Sequence, residues 1–254
     1  MPFNFNWETS LTVIILALIS GITTVLGVVL ALLFKKNDRA IAIGIAFSGG
    51  IMVLMSAFEL IPEAFDHLGY EKTGWATASG FAVFFLLNYL IPHLHLEMED
   101  RNPLGIVSLK TAYLVAFGLI LHDFPEGFAM ANSYLSNPAL GLMMAIAIAL
   151  HNIPEELAMA VPLVAVKRKK TLFKAAIVSA MAEPAGAIVG LVVIQAFMDL
   201  TYILLAFTAG AMIFISLHEL FPMVQRLRQP ASFTIGVVLS ALVYLGLERI
   251  IQVQ

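Results

Sequence analysis

The chain has 254 residues, 60% of them hydrophobic and only 12% charged, with a mean hydropathy of +0.93. A soluble domain is about half apolar and a quarter charged, so this is the composition of a membrane protein. A net charge of −3 with no basic patch gives no footing to nucleic-acid binding, and zero cysteines exclude disulfides and thiolate chemistry.

Apolar runs long enough to cross a bilayer as helices occur eight times. They cover about 11–34, 40–63, 74–92, 111–133, 138–165, 171–195, 199–223 and 231–250. The expected fold is an all-α polytopic membrane protein forming one transmembrane domain over 1–254. Met1 to Ser10 lacks the charged start and small-residue cleavage site of a signal peptide, so the first run is expected to be a retained span. With the N-terminus outside, the inner loops collect 12 of the 14 Lys and Arg residues, leaving only Lys72 and Arg249 outside. The positive-inside rule therefore puts both termini on the outer side of a cell (inner or plasma) membrane.

Span 2 ends in Ser48 to Pro62, "SGGIMVLMSAFELIP". Span 7 contains Thr208 to Pro222, "TAGAMIFISLHELFP", at an offset of 160. Gly, Met, Ser, Glu, Leu and Pro recur at matching places, although spans 2 and 7 run in opposite directions. Related segments of opposite direction mark an inverted-topology repeat, common in secondary transporters. The expected plan is helices 1–3 related to helices 6–8 around a central pair, 4 and 5. Glu59 near the outer end of span 2, and His218 with Glu219 near the inner end of span 7, are candidate residues of a transport path. Glu63 and His67 read as a solvated helix end.

Spans 4 and 5 carry a second repeat. "LHDFPEGFAMA" runs from Leu121 to Ala131 and "LHNIPEELAMA" from Leu150 to Ala160, identical at seven of eleven positions. Each phrase puts a histidine and a glutamate four apart, His122 with Glu126 and His151 with Glu155, on one helical face. They fall near the middle of their spans, where an ionisable side chain costs at least about 2.5–3.5 kcal/mol. No Lys or Arg lies inside a span, apart from Lys174 in the first turn of span 6 and Arg249 at the end of span 8, both far from the span centres, so ion pairing does not explain these acids. Two imidazoles and two carboxylates on paired helices suit zinc or a similar dication. Asp123 and Asn152, about one hundred degrees round the helix from the histidines, suggest a second adjacent metal position, with Glu183 of span 6 as an extra ligand. Pro125 and Pro154 each remove a backbone donor beside these ligands.

The paired H-[N/D]-x-P-E motifs, the eight spans and the outer termini resemble the ZIP family of divalent-metal transporters, in its short-loop bacterial branch. The resemblance implies a binuclear centre of His122, Asp123, Glu126, His151, Asn152 and Glu155, joined by Glu183. It also implies import into the cytoplasm and a homodimer. The family's P-E-G is kept at Gly127, but span 5 has Glu156 instead.

The inner loop of about 93–110 reads "HLHLEMED" (His93, His95, Glu97, Glu99, Asp100), a charge run that could also touch metal. The run Lys167 to Lys170 sets topology and meets anionic lipid heads. Trp7, Trp75 and Tyr70 fit interfacial anchors. Divalent metal, zinc foremost but also iron, manganese, cobalt or cadmium, is the expected substrate, not a catalytic cofactor. The rival from another class is an intramembrane metal-dependent hydrolase, which needs H-E-x-x-H or a three-histidine set; neither is present. A proton-coupled carrier of an organic ion is a third reading.

Overall fold

The structure, a computed structural model, describes the backbone of residues 7–33, 37–90, 109–165, 169–197 and 200–252. It describes their side chains except at 90, 109–122, 157–159, 161–165, 169–172, 175, 195, 196 and 252. Among the described residues all regular structure is helical, in eight helical rods. They are α1 (Trp7–Leu33), α2 (Asp38–Leu68), α3 (Tyr70–Leu90), α4 (Leu109–Ser136), α5 (Pro138–Ala165), α6 in two pieces (Lys169–Ala180 and Ala182–Ala196), α7 (Thr201–Arg226) and α8 (Pro230–Gln252). Six of them, α1, α2 and α5 to α8, contain a stretch long and apolar enough to cross a membrane.

The boundaries follow local chemistry. Asn37 caps α2 by accepting from the amides of Arg39 and Ala40 at 3.1 and 3.2 Å. Gly69, with φ of 75°, closes α2 in the left-handed conformation that glycine adopts freely. Asn137 accepts from the Ala139 amide at 2.9 Å, and Pro138 occupies the first position of α5. That single linking residue forces α4 and α5 into an antiparallel hairpin. Pro230 opens α8 in the same way.

Two rods depart from α geometry at matching places. In α2, residues Ser56–Leu60 form a π-turn, closed by the Ile61 amide on the Ser56 carbonyl. In α7, residues Ser216–Leu220 do the same, with Phe221 on Ser216. Pro62 and Pro222 follow one residue later. A proline inside a helix clashes with the carbonyl four residues back, and the wider π-turn relieves that clash.

The rods pack in pairs: α1 along α5, α4 along the second piece of α6, α2 along α8, and α3 along α7. Small residues such as Ala17, Ala42, Ala46 and Ala209 fill the contacts, the pattern by which helices approach closely in lipid. Exposure runs opposite to a soluble protein. Ile22, Phe58, Leu242 and Ile250 are each more than 60% exposed, whereas Asp123, Glu126, His151, Asn152, Glu155, Glu156 and Glu183 are all at least 97% buried. Tyr70 and Trp75 are exposed together at the start of α3, as anchors would be. The His93–Asp100 run, Lys167 and Arg168 lie outside the described residues, and of Lys169 and Lys170 the backbone alone is described.

Candidate metal centre

The hairpin of α4 and α5 sets its two motifs face to face. Nε2 of His151 lies 3.0 Å from Oε1 of Glu126, across the helix pair. Glu155, four residues beyond His151, completes a triad in which one ligand atom from each residue falls within 4.8 Å of the others. All three are buried. Three such donors are the protein contribution expected of a zinc position that keeps a fourth site for water or a further ligand. The fourth ligand expected from the sequence is His122. Its backbone belongs to α4, and its side chain lies outside the described residues.

A second set of donors adjoins the triad. The Asn152 amide donates to Oε1 of Glu183 at 2.5 Å. Asp123 accepts from the hydroxyl of Ser179 at 2.5 Å. Glu156, next to Glu155, is buried as well and adds a further acid to this interior. Oxygen donors dominate here, while the triad includes an imidazole.

The break in α6 is what delivers Glu183. Pro184 has no amide to give the Ala180 carbonyl. The helix therefore stops at Ala180 and restarts at Ala182, with Glu183 in the first turn of the new piece. A carboxylate is stabilised at such an N-terminus. The sequence reading took span 6 as unbroken, and Pro184 is the signal that marks the break.

Gly127 explains the third letter of the first P-E-G. A Cβ built there would lie 1.9 Å from the Glu183 carbonyl oxygen, so only glycine lets α4 approach α6 this closely. Both Pro125 and Pro154 are accommodated within unbroken helices. Next to Pro154, the hydroxyl of Ser48 on α2 donates to the His151 carbonyl at 2.8 Å. Ser20, Thr24, Ser48 and Ser179 are buried polar residues of the centre that the motif search passed over; their signal was hydroxyls recurring on helices otherwise made of Ala, Gly, Val and Ile.

The candidate path residues sit apart from this centre. Glu59 accepts from the Tyr244 hydroxyl of α8 at 2.6 Å, and Glu219 from the Asn88 amide of α3 at 3.0 Å. His218 is exposed and stacks on Phe214, with ring centroids 4.9 Å apart. Glu63 is half-buried and accepts from Ser136 of α4 at 2.6 Å, so it is not the free solvated end expected of it. His67 is exposed and stacks on Tyr202 at 3.7 Å.

Comparison with known proteins adds an independent line. The family described as ZIP Zinc transporter matches residues 93–248. The chain is 34% identical to the "Zinc transporter ZupT" of Campylobacter jejuni, over 86% of this chain and 89% of that protein. It is 36% identical to the protein of the same name from Akkermansia muciniphila, over 85% and 88%. The Salmonella newport protein of that name is 34% identical over 94% and 96%.

Proposed function

This chain belongs to the ZIP zinc transporter family, a family of transporters rather than enzymes. On that premise we propose that it carries divalent cations, zinc foremost, across a bacterial inner membrane into the cytoplasm. The observation that carries this reading is the triad of Glu126, His151 and Glu155, buried at the core of rods whose outward faces are apolar. No protein cation among the described residues is buried beside it. A dication balances charges that would otherwise be costly there.

Two neighbouring positions are proposed. The first uses Glu126, His151 and Glu155, with His122 as the fourth ligand. The second uses Asp123, Asn152 and Glu183, with the second oxygens of Glu126 and Glu155 shared between the two. Mixed carboxylate and imidazole donors hold a dication without the permanence of an all-thiolate or all-histidine cage, as a substrate that must leave requires. Moving two charges through 100 mV is worth about 4.6 kcal/mol, so the membrane potential suffices to drive import.

The inverted repeat is supported by more than sequence. The two π-turns obey the same offset of 160. Gly50 and Gly210, also 160 apart, both sit against a neighbouring rod: a Cβ on Gly50 would press on Ser240 of α8 and touch Val237 at 3.8 Å, and one on Gly210 would press on Thr77 and Phe81 of α3. The offset carries Thr77 to Val237. The packing pairs α1–α5 with α4–α6 and α2–α8 with α3–α7, as the exchange of helices 1–3 for 6–8 and of 4 for 5 requires. Eight spans put both termini on one side, and the Lys and Arg distribution makes that the outer side. For alternating access, the packing favours α1, α4, α5 and α6 moving as one body against α2, α3, α7 and α8. Glu59, His218 and Glu219 then belong to the second body and line the ends of the path. A homodimer is the family expectation.

The test is zinc uptake into sealed vesicles of purified protein. Glu126→Ala and Glu155→Ala should each abolish uptake; wild-type rates in both would remove the site assignment.

A further inference from the structure

Each motif helix is flanked by a helix that brings hydroxyl groups to the residue after the motif histidine. α1 lies along α5 and brings Ser20 and Thr24; α6 lies against α4 and brings Ser179. The Asn152 amide nitrogen, which donates to Glu183 at 2.5 Å, also reaches the hydroxyl oxygens of Thr24 at 3.3 Å and Ser20 at 3.4 Å. Thr24 in turn donates to the same oxygen of Glu183 at 3.4 Å. In the other half, Ser179 donates to Oδ2 of Asp123 at 2.5 Å. Both serines lie where α1 and α6 cross: a Cβ on Gly21, next to Ser20, would fall 2.3 Å from the carbonyl oxygen of Ala180, next to Ser179.

These contacts fix which atoms an arriving ion would meet. The corner of the Asn152 amide facing Glu183 is the nitrogen, and the carbonyl oxygen is turned to the opposite side. That oxygen is the amide's one metal-ligating atom. Asp123, bound through Oδ2, likewise keeps Oδ1 as its other donor. Neutral hydroxyls are poor competitors for zinc against carboxylate and imidazole. Their value next to ligands is orientation, as for the outer partners that aim the ligands of metal sites in general.

We propose that Ser20, Thr24 and Ser179 are positioning residues of the transport centre, which aim Asn152, Glu183 and Asp123 so that an ion binds without first rearranging them. The proposal rests on the reading of this centre as the metal site. The hydroxyls are contributed by α1 and α6, the outer helices of the same body, so the aim travels intact when that body moves.

The experiment measures zinc affinity of the purified full chain by competition with a chelating dye, together with KM and maximal rate of uptake in vesicles. Thr24→Val keeps the shape and removes the hydroxyl; Ser179→Ala tests the other half independently. Each is expected to weaken zinc affinity about 10-fold, within the roughly 10–100-fold range of outer-partner losses, and to raise KM more than it lowers the maximal rate. Thr24→Ser is expected to restore wild-type affinity, which a packing role would not predict. Wild-type affinity in both hydroxyl-less variants, or a Thr24→Ser variant as weak as Thr24→Val, overturns the proposal. Glu126→Ala, run in parallel, separates the two levels. If it binds zinc normally, the site reading has failed; if it loses zinc while the hydroxyl variants do not, the positioning role alone has failed.

Discussion

Gly127 of α4 lies against the backbone of Glu183 in α6, so close that a Cβ on it would come within 1.9 Å of the Glu183 carbonyl oxygen. Backbone cannot move aside as a flexible side chain can. Gly127→Ala must therefore part α4 from α6 and carry Glu126 away from Glu183. Overpacking of this kind costs about 1–3 kcal/mol. The expected outcome is a lowered melting temperature in detergent and at least about a tenfold loss of zinc uptake. Gly246, with open space around its Cβ position, is the control, and Gly246→Ala should leave both unchanged.

Pro184 makes an opposite prediction about stability. It interrupts α6 between Ala180 and Ala182 and so sets the first turn that holds Glu183. Pro184→Ala restores an amide for the Ala180 carbonyl and so permits a continuous helix. Melting temperature should hold or rise while zinc affinity falls, because Glu183 turns away from Asn152. A melting curve and a dye-competition titration on the same preparation check both halves.

The triad itself predicts a graded series. Glu155→Gln keeps the size of the side chain and removes the charge that faces the ion. Loss of one charged ligand contact of about 3 kcal/mol corresponds to roughly 100-fold weaker binding. Titration of purified protein with zinc should show that drop, with the helical content in circular dichroism unchanged.

Glu59 with Tyr244 and Glu219 with Asn88 are the two ends of the proposed repeat, each glutamate sitting in a π-turn and held by the neighbouring rod. Tyr244→Phe and Asn88→Ala should destabilise the protein by similar amounts, on the order of 1 kcal/mol each. Denaturant unfolding in detergent measures this. A large effect of one and none of the other would argue against equivalent ends.

Much of the fold was legible because lipid leaves so little freedom: a backbone in hydrocarbon must satisfy its own hydrogen bonds, so apolar runs become helices. The eight runs and the eight rods agree to within a few residues at most ends. The largest shift is at α2, which continues to Leu68 where the apolar run stopped near 63, because Pro62 and Glu63 are accommodated after the π-turn. The triad was legible because His and Glu four apart on adjacent helices have few other uses in an apolar setting. The π-turns and the break in α6 were not read, although Pro62, Pro222 and Pro184 announce them; a hydropathy window averages over a single proline. The contacts of Glu63 with Ser136 and of Glu59 with Tyr244 join residues 73 and 185 apart, and no local pattern encodes such pairings.

The most direct test of the central claim, that a dication sits among Glu126, His151 and Glu155, is zinc-edge X-ray absorption on the purified protein loaded with zinc. The account predicts bound zinc with a nitrogen and oxygen shell at about 2.0–2.2 Å, an imidazole signature, and loss of that signature in His151→Ala. Zinc that does not bind, or a spectrum unaltered by His151→Ala and by Glu126→Ala, would contradict it.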